Sequence, residues 1–186
     1  MNFHTLYPNF PFSLPMILDG ATGTSLIRAG MPTGVCPEAW ILENPEVIKD
    51  IQSRYFESGS DAVLAPTFGA NETVLSRYGL ADKAAEMNAA LAALSRENAD
   101  KSSGKYVAGD LSPTGKMLAP VGDVTLDEMA EIFSAQARAM DALEQLRNTE
   151  VHSTVILSQT DTQTFRKLGM NLSCEPKYQT KKLYHK

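Results

Sequence analysis

The chain is short of several residue types, and each shortage removes a class of function. Two cysteines among 186 residues, Cys36 and Cys174, stand far apart and match neither a disulfide framework nor a paired metal motif, which fits a reducing, cytoplasmic setting. The three histidines, His4, His152 and His185, have no spacing that gathers a ligand set or a catalytic dyad. No apolar run approaches the roughly 18 residues of a membrane span. Phe3 to Met16 lack the basic start and apolar centre of a signal peptide. A membrane is therefore not an expected partner. The single tryptophan, Trp40, serves a core or lid position as readily as a ligand contact.

What is present has the makeup of a globular protein: 43% hydrophobic and 21% charged residues, enough for one domain with a core. Charge is spread unevenly. Residues 147–186 carry seven Lys or Arg against three acids, while the rest carries ten against nineteen, so a basic tail follows an acidic body. No reading motif accompanies Lys177, Lys181, Lys182 or Lys186, and a solvated end is expected there rather than nucleic-acid binding. At the other end, Pro8, Pro11 and Pro15 make residues 1–15 an irregular arm.

Between the two, short apolar runs alternate with amphipathic stretches. Met16-Ile17-Leu18 predicts a strand ending at Asp19-Gly20, and Thr24 to Ala29 a helix stopped by Gly30. Asn44 as N-cap, Pro45 in the first turn and the stripe Val47, Ile48, Ile51, Tyr55 predict a helix ending at Gly59. Asp61 to Ala65 reads as a buried strand before Pro66. Helical stretches from Ala70 to Tyr78 and from Ala81 to Ala99 follow, broken at Gly79. A strand over Tyr106-Val107-Ala108 ends at Gly109-Asp110. Thr125 and Glu128 form a capping box for a helix with the stripe Leu126, Met129, Phe133, Met140, Leu143. Val155-Ile156-Leu157 can form a further strand. This order predicts an α/β fold with a parallel sheet, and periodicity alone does not choose between a doubly wound sheet and part of an eight-stranded barrel.

In both architectures ligands collect at the C-terminal ends of the strands. The groups there are Asp19, Gly20, Ala21 and Thr22, then Thr67 and Asn71, then Asp110. Asp19 beside open amides at a helix start suits an amino acid, the carboxylate facing an ammonium group and the amides receiving a carboxylate. Plainer roles are available at each position: Asp19 and Thr22 as caps, Gly20 and Gly23 as turn residues, Asp110 as a turn residue, Asn71 as a cap. An unrelated small-molecule enzyme with Asp19 and Asp110 as acid and base would fit the same architecture.

The segments Ile17-Leu18-Asp19-Gly20-Ala21-Thr22-Gly23-Thr24, Pro37-Glu38-Ala39-Trp40, Thr67-Phe68-Gly69-Ala70-Asn71 and Val107-Ala108-Gly109-Asp110-Leu111-Ser112-Pro113-Thr114-Gly115 resemble, in order and spacing, the homocysteine S-methyltransferase family, its cobalamin-dependent branch more than its betaine-dependent one. The likeness runs from about Met16 to Gln145. It implies a (β/α)8 TIM barrel that binds homocysteine at its strand ends, through Asp19, Gly20, Ala21 and Thr22. A zinc ion would lower the thiol pKa for methyl transfer. Methylcobalamin is the donor implied by that branch, with a cobalamin- or folate-binding module on another chain as partner, and a methylated sulfonium compound is the alternative donor.

The sequence departs from that pattern in places. The family's zinc is held by three cysteines in Gly-x-Asn-Cys and Gly-Gly-Cys-Cys type motifs, and two cysteines in all cannot supply three thiolates. Ser158 and Gln159 stand where the family places an acid after its fourth strand, and Pro66 where it commonly has Asn. A closed barrel needs about 250 residues. The expectation is an incomplete barrel of three to four βα units over residues 16–146, with 147–186 not the family's own continuation. Such a chain is expected to be a truncated, inactive methyltransferase, or a silent homocysteine-binding or assembly fragment that needs a second chain.

Overall fold

The computed structural model describes residues 17–102 and 105–147, with two further strands at 154–157 and 179–182; side chains are described up to residue 140. The elements are α1 (Thr22–Arg28), α2 (Pro37–Glu43), α3 (Pro45–Glu57), β1 (Ala62–Leu64), α4 (Glu72–Leu75), single 3-10 turns at Ser76–Tyr78 and Ala81–Lys83, α5 (Ala84–Ala99), β2 (Tyr106–Leu111), α6 (Leu126–Arg147), β3 (Thr154–Leu157) and β4 (Gln179–Lys182). The irregular arm, Cys174 and the three histidines lie outside the described residues.

The sheet order is β1-β2-β3-β4, parallel through β3 and antiparallel at β4. The parallel α/β architecture is thus present, in an order where each strand lies beside the next. The expected first strand is reduced to one parallel bridge, Leu18 to Ala62, beside β1, with the Asp61 N–H donating to the Ile17 carbonyl at 2.7 Å and the Asp19 N–H to the Ala62 carbonyl at 3.1 Å. β4 lies inside the basic tail, where no strand was expected. Among the described residues no helix is long and apolar enough to cross a membrane.

Most local expectations have visible physical causes. The capping box closes as read: the Glu128 N–H donates to Thr125 Oγ1 at 3.2 Å and the Thr125 N–H to Glu128 Oε2 at 2.8 Å. Past the end of α3, Gly59 takes φ +104, a left-handed conformation that costs other residues a steric clash. Elsewhere the boundaries move. Asn44 holds the N-cap position of α3 but caps nothing with its side chain, which donates instead to the Trp40 carbonyl at 2.9 Å. The expected helix from Ala70 to Tyr78 shrinks to Glu72–Leu75 plus a 3-10 turn, because Asn71 is extended and caps from outside while Gly79 turns left-handed at φ 70. β2 runs through Gly109 and Asp110 to Leu111, since these residues pair with Val155, Ile156 and Leu157 of β3. The helix Pro37–Glu43 was not legible, being two turns with no full apolar stripe of its own.

The core forms where helices cover the sheet. Leu26, Met31, Ile41, Ile48, Ile51, Ala70 and Leu91 pack one cluster beneath α1, α2, α3 and α5, with Trp40 half-buried against it, and Leu111, Met129, Phe133 and Met140 join β2 to α6. Val63 is 0% exposed, as a strand covered on both faces requires. We expect Leu91→Ala, at a site 0% exposed, to cost about 2–5 kcal/mol in urea unfolding. Ile27→Ala, at 51% exposure, should stay within about 0.5 kcal/mol of the parent chain.

Candidate functional site

Asp19, the loop 65–71 and Asp110 meet at one end of the sheet, the C-terminal end of its parallel strands. Both carboxylate oxygens of Asp19 are buried and without a hydrogen-bond partner. Burial pushes its pKa up to about 7; the Leu64 backbone N–H works against the rise without reaching bonding geometry, and the charge of Asp110 adds to it. Burial also raises Asp110, to about 6. Two desolvated carboxyl groups at one end of the sheet, that of Asp19 without a hydrogen-bond partner, form a place where a cationic group would be stabilised.

Asp19 does not cap α1. The N-cap position is Ala21, which offers no side-chain bond, so the first-turn amides are left without a side-chain acceptor. The hydroxyls of this turn point back at its own carbonyls: Thr22 Oγ1 donates to Gly20 at 3.3 Å, Ser25 Oγ to Ala21 at 2.8 Å. Gly20 and Ala21 are exposed and Thr22 half-buried, open to a ligand beside Asp19. A Cβ at Gly20 would meet the Tyr55 hydroxyl at 3.1 Å, so glycine lets the turn approach α3. Asp110 is not a turn residue either, since it lies within β2.

Thr67 and Asn71 are buried, and their side chains brace the scaffold. Thr67 Oγ1 donates to the Asp110 carbonyl at 2.9 Å and accepts from the Asp110 N–H at 3.0 Å, locking the two strand ends together. Asn71 Oδ1 accepts from the Val74 N–H at 2.9 Å, the capping role, and Asn71 Nδ2 donates to Ser112 Oγ at 3.2 Å. Three residues that sequence reasoning did not single out as site residues complete this bracing. Glu38 Oε1 accepts from the Gly69 N–H at 2.7 Å, Asn88 Nδ2 donates to the Ala70 carbonyl at 2.7 Å, and Gln136 Nε2 donates to the Thr67 carbonyl at 2.7 Å. One signal was available: Asn88 stands three residues before Leu91 and so shares its buried helix face.

Among the described residues no three His, Cys, Asp or Glu side chains gather to hold a metal ion. Cys36 is buried, its thiol donating to Glu38 Oε2 at 3.4 Å, and burial raises its pKa, the opposite of what a metal-binding thiolate needs. The three-thiolate zinc set that the resemblance implies does not fit the residues of this chain. A cavity of ≈ 460 Å³ between α1 and α3 and one of ≈ 200 Å³ among α4, α5 and α6 lie away from the two aspartates.

The family model described as Homocysteine S-methyltransferase matches residues 16–168, a stretch that runs past Leu146. The methionine synthase of Mycobacterium tuberculosis is 31% identical over 135 residues, 67% of this chain and 11% of that protein. Over 50 residues, 27% of this chain and 10% of the relative, the identity to a UPF0371 protein of Streptococcus thermophilus is 50%. The metallated form of the homocysteine methyltransferase MmuM from Escherichia coli superposes with a TM-score of 0.60 at 20% identity, over 69% of this chain and 50% of that one, which shows a shared fold. The chain thus spans about a tenth of the methionine synthase it matches and half of the solved methyltransferase. The matched segment contains both aspartates and the braced loop between them, and on it the chain belongs to the homocysteine S-methyltransferase family.

Proposed function

We propose that this chain supplies the amino-acid-binding half of a homocysteine S-methyltransferase site, in a (β/α)8 barrel whose thiolate-activating half is not built from its residues. The observation that carries this reading is the buried, unpartnered carboxylate of Asp19 at the C-terminal end of a parallel sheet. In this reading Asp19 receives the ammonium group of homocysteine, and the Gly20, Ala21 and Thr22 turn receives its carboxylate. Asp110 stands near Asp19 as a second carboxyl of the site, and Thr67 and Asn71 hold the strand ends in register.

A second reading, a silent binding or assembly fragment that needs another chain, is favoured by the cysteine count: two in all, with Cys36 committed to Glu38. We derive no methyl-transfer step from the residues present. The likeness to methionine synthase supports methylcobalamin as donor, on a cobalamin- or folate-binding module of another chain, and the cysteine usage supports the cytoplasm. The family match continues to residue 168, so only residues 169–186, the end of the basic tail, are proposed as a segment of separate ancestry.

Calorimetry with L-homocysteine tests the site. Asp19→Asn should weaken binding tenfold or more, the scale of a lost charge-assisted bond of about 1.5–3 kcal/mol. Wild-type chain that does not bind, or a variant that binds equally, would sink the assignment. Metal analysis of the purified chain should find no stoichiometric zinc; stoichiometric zinc would reveal a ligand set beyond the three-thiolate pattern.

The raised pKa values set two pH dependences. An ammonium ligand prefers ionised Asp19, so affinity should fall below about pH 7, with proton uptake by the site opposing binding. Stability should show the reverse trend. From about pH 4 to about pH 7 the folded chain holds protons on Asp19 that the unfolded chain has released, so this contribution is lost as pH rises and is flat above. Melting temperatures across this range should show Asp19→Asn gaining on the parent chain as pH rises; equal profiles would show that the carboxyl is not desolvated.

A further inference from the structure

Glu38 is 5% exposed, and no described salt bridge includes it. Its neighbours Cys36, at the N-cap of α2, and Ala39, on that helix, belong to an apolar cluster with Leu75 and Met87. A buried carboxylate with so few partners adds little to stability, and an apolar residue of similar volume often does better. What it does have is geometric: the Gly69 N–H at 2.7 Å, a length typical of a charge-assisted bond, with the Cys36 thiol steadying the other oxygen at 3.4 Å. A Cβ at Gly69 would lie 2.6 Å from Glu38 Oε1, so the loop comes as close to the carboxylate as only glycine permits.

Gly69 sits inside the turn in which the Ala70 N–H donates to the Thr67 carbonyl at 3.0 Å, and the Thr67 hydroxyl grips both main-chain groups of Asp110. We infer that Glu38 is a positioning residue for the substrate site: through Gly69 and Thr67 it sets where the end of β2, and with it the Asp110 carboxyl, stands. Asn88 and Gln136 donate to carbonyls of the same loop, whereas Glu38 accepts from the loop's Gly69 N–H. This role rests on the homocysteine reading of the Asp19 and Asp110 site for its ligand, though not for its geometry.

The test uses the full 186-residue chain, amide NMR spectra and L-homocysteine calorimetry. In Glu38→Leu the Gly69 and Asp110 amide resonances should both move and the Kd rise about tenfold or more, while Tm stays within about 5 °C of the parent. Glu38→Gln keeps an oxygen for the Gly69 N–H and should restore the Asp110 resonance and hold the Kd within about threefold. Gly69→Ala, whose methyl displaces the carboxylate, should reproduce the leucine variant's shifts and serves if that variant does not fold. An Asp110 resonance that stays in place in both Glu38→Leu and Gly69→Ala overturns the relay. A parent chain that fails to bind L-homocysteine while Asp110 still moves upholds the relay and overturns the substrate assignment.

Discussion

The structure depends on keeping the loop from Ala65 to Asn71 buried with its main-chain groups paired. Loops normally run over the surface because buried amides and carbonyls without partners cost free energy. Here Ala65, Thr67, Gly69, Ala70 and Asn71 are all buried, and main-chain partners arrive from four directions: Glu38 on α2, Asn88 on α5, Gln136 on α6 and the Ala108 carbonyl on β2. Each of these residues is distant in sequence. Together they fix the separation of the first strands and hence the floor on which Asp19 and Asp110 stand.

Beside this braced loop the Asp19 carboxyl stays without a hydrogen-bond partner. A braced scaffold keeps both carboxyl groups partly out of water, and this desolvation raises the pKa of each. A flexible loop would let them turn to water. In the proposed homocysteine reading the same rigidity would serve recognition, because the ammonium group would meet a carboxyl already in place.

The relation to the homocysteine S-methyltransferases is uneven along the chain. The motifs proposed for the amino-acid end of the site are present in the sequence, whereas the chain has only two cysteines and no metal-ligand set gathers among the described residues. The antiparallel β4, inside the basic tail, likewise departs from a parallel barrel order.

The sequence by itself determined the alternation of strands and helices, the capping box at Thr125 and Glu128, the turn at Gly59 and the motifs that carry the family. Each of these is local: a period, a cap or a backbone conformation is set by residues within a few positions of one another. It also placed Asp19 and Asp110 at strand ends, although it left capping and turn roles open for them. Only the tertiary structure decided those roles, because whether a carboxyl is paired depends on what other elements bring to it. The same holds for Thr67 and Asn71, whose side chains serve Asp110, Val74 and Ser112, and for Glu38, whose partner Gly69 lies 31 residues away. A buried polar contact between distant residues has no period to read.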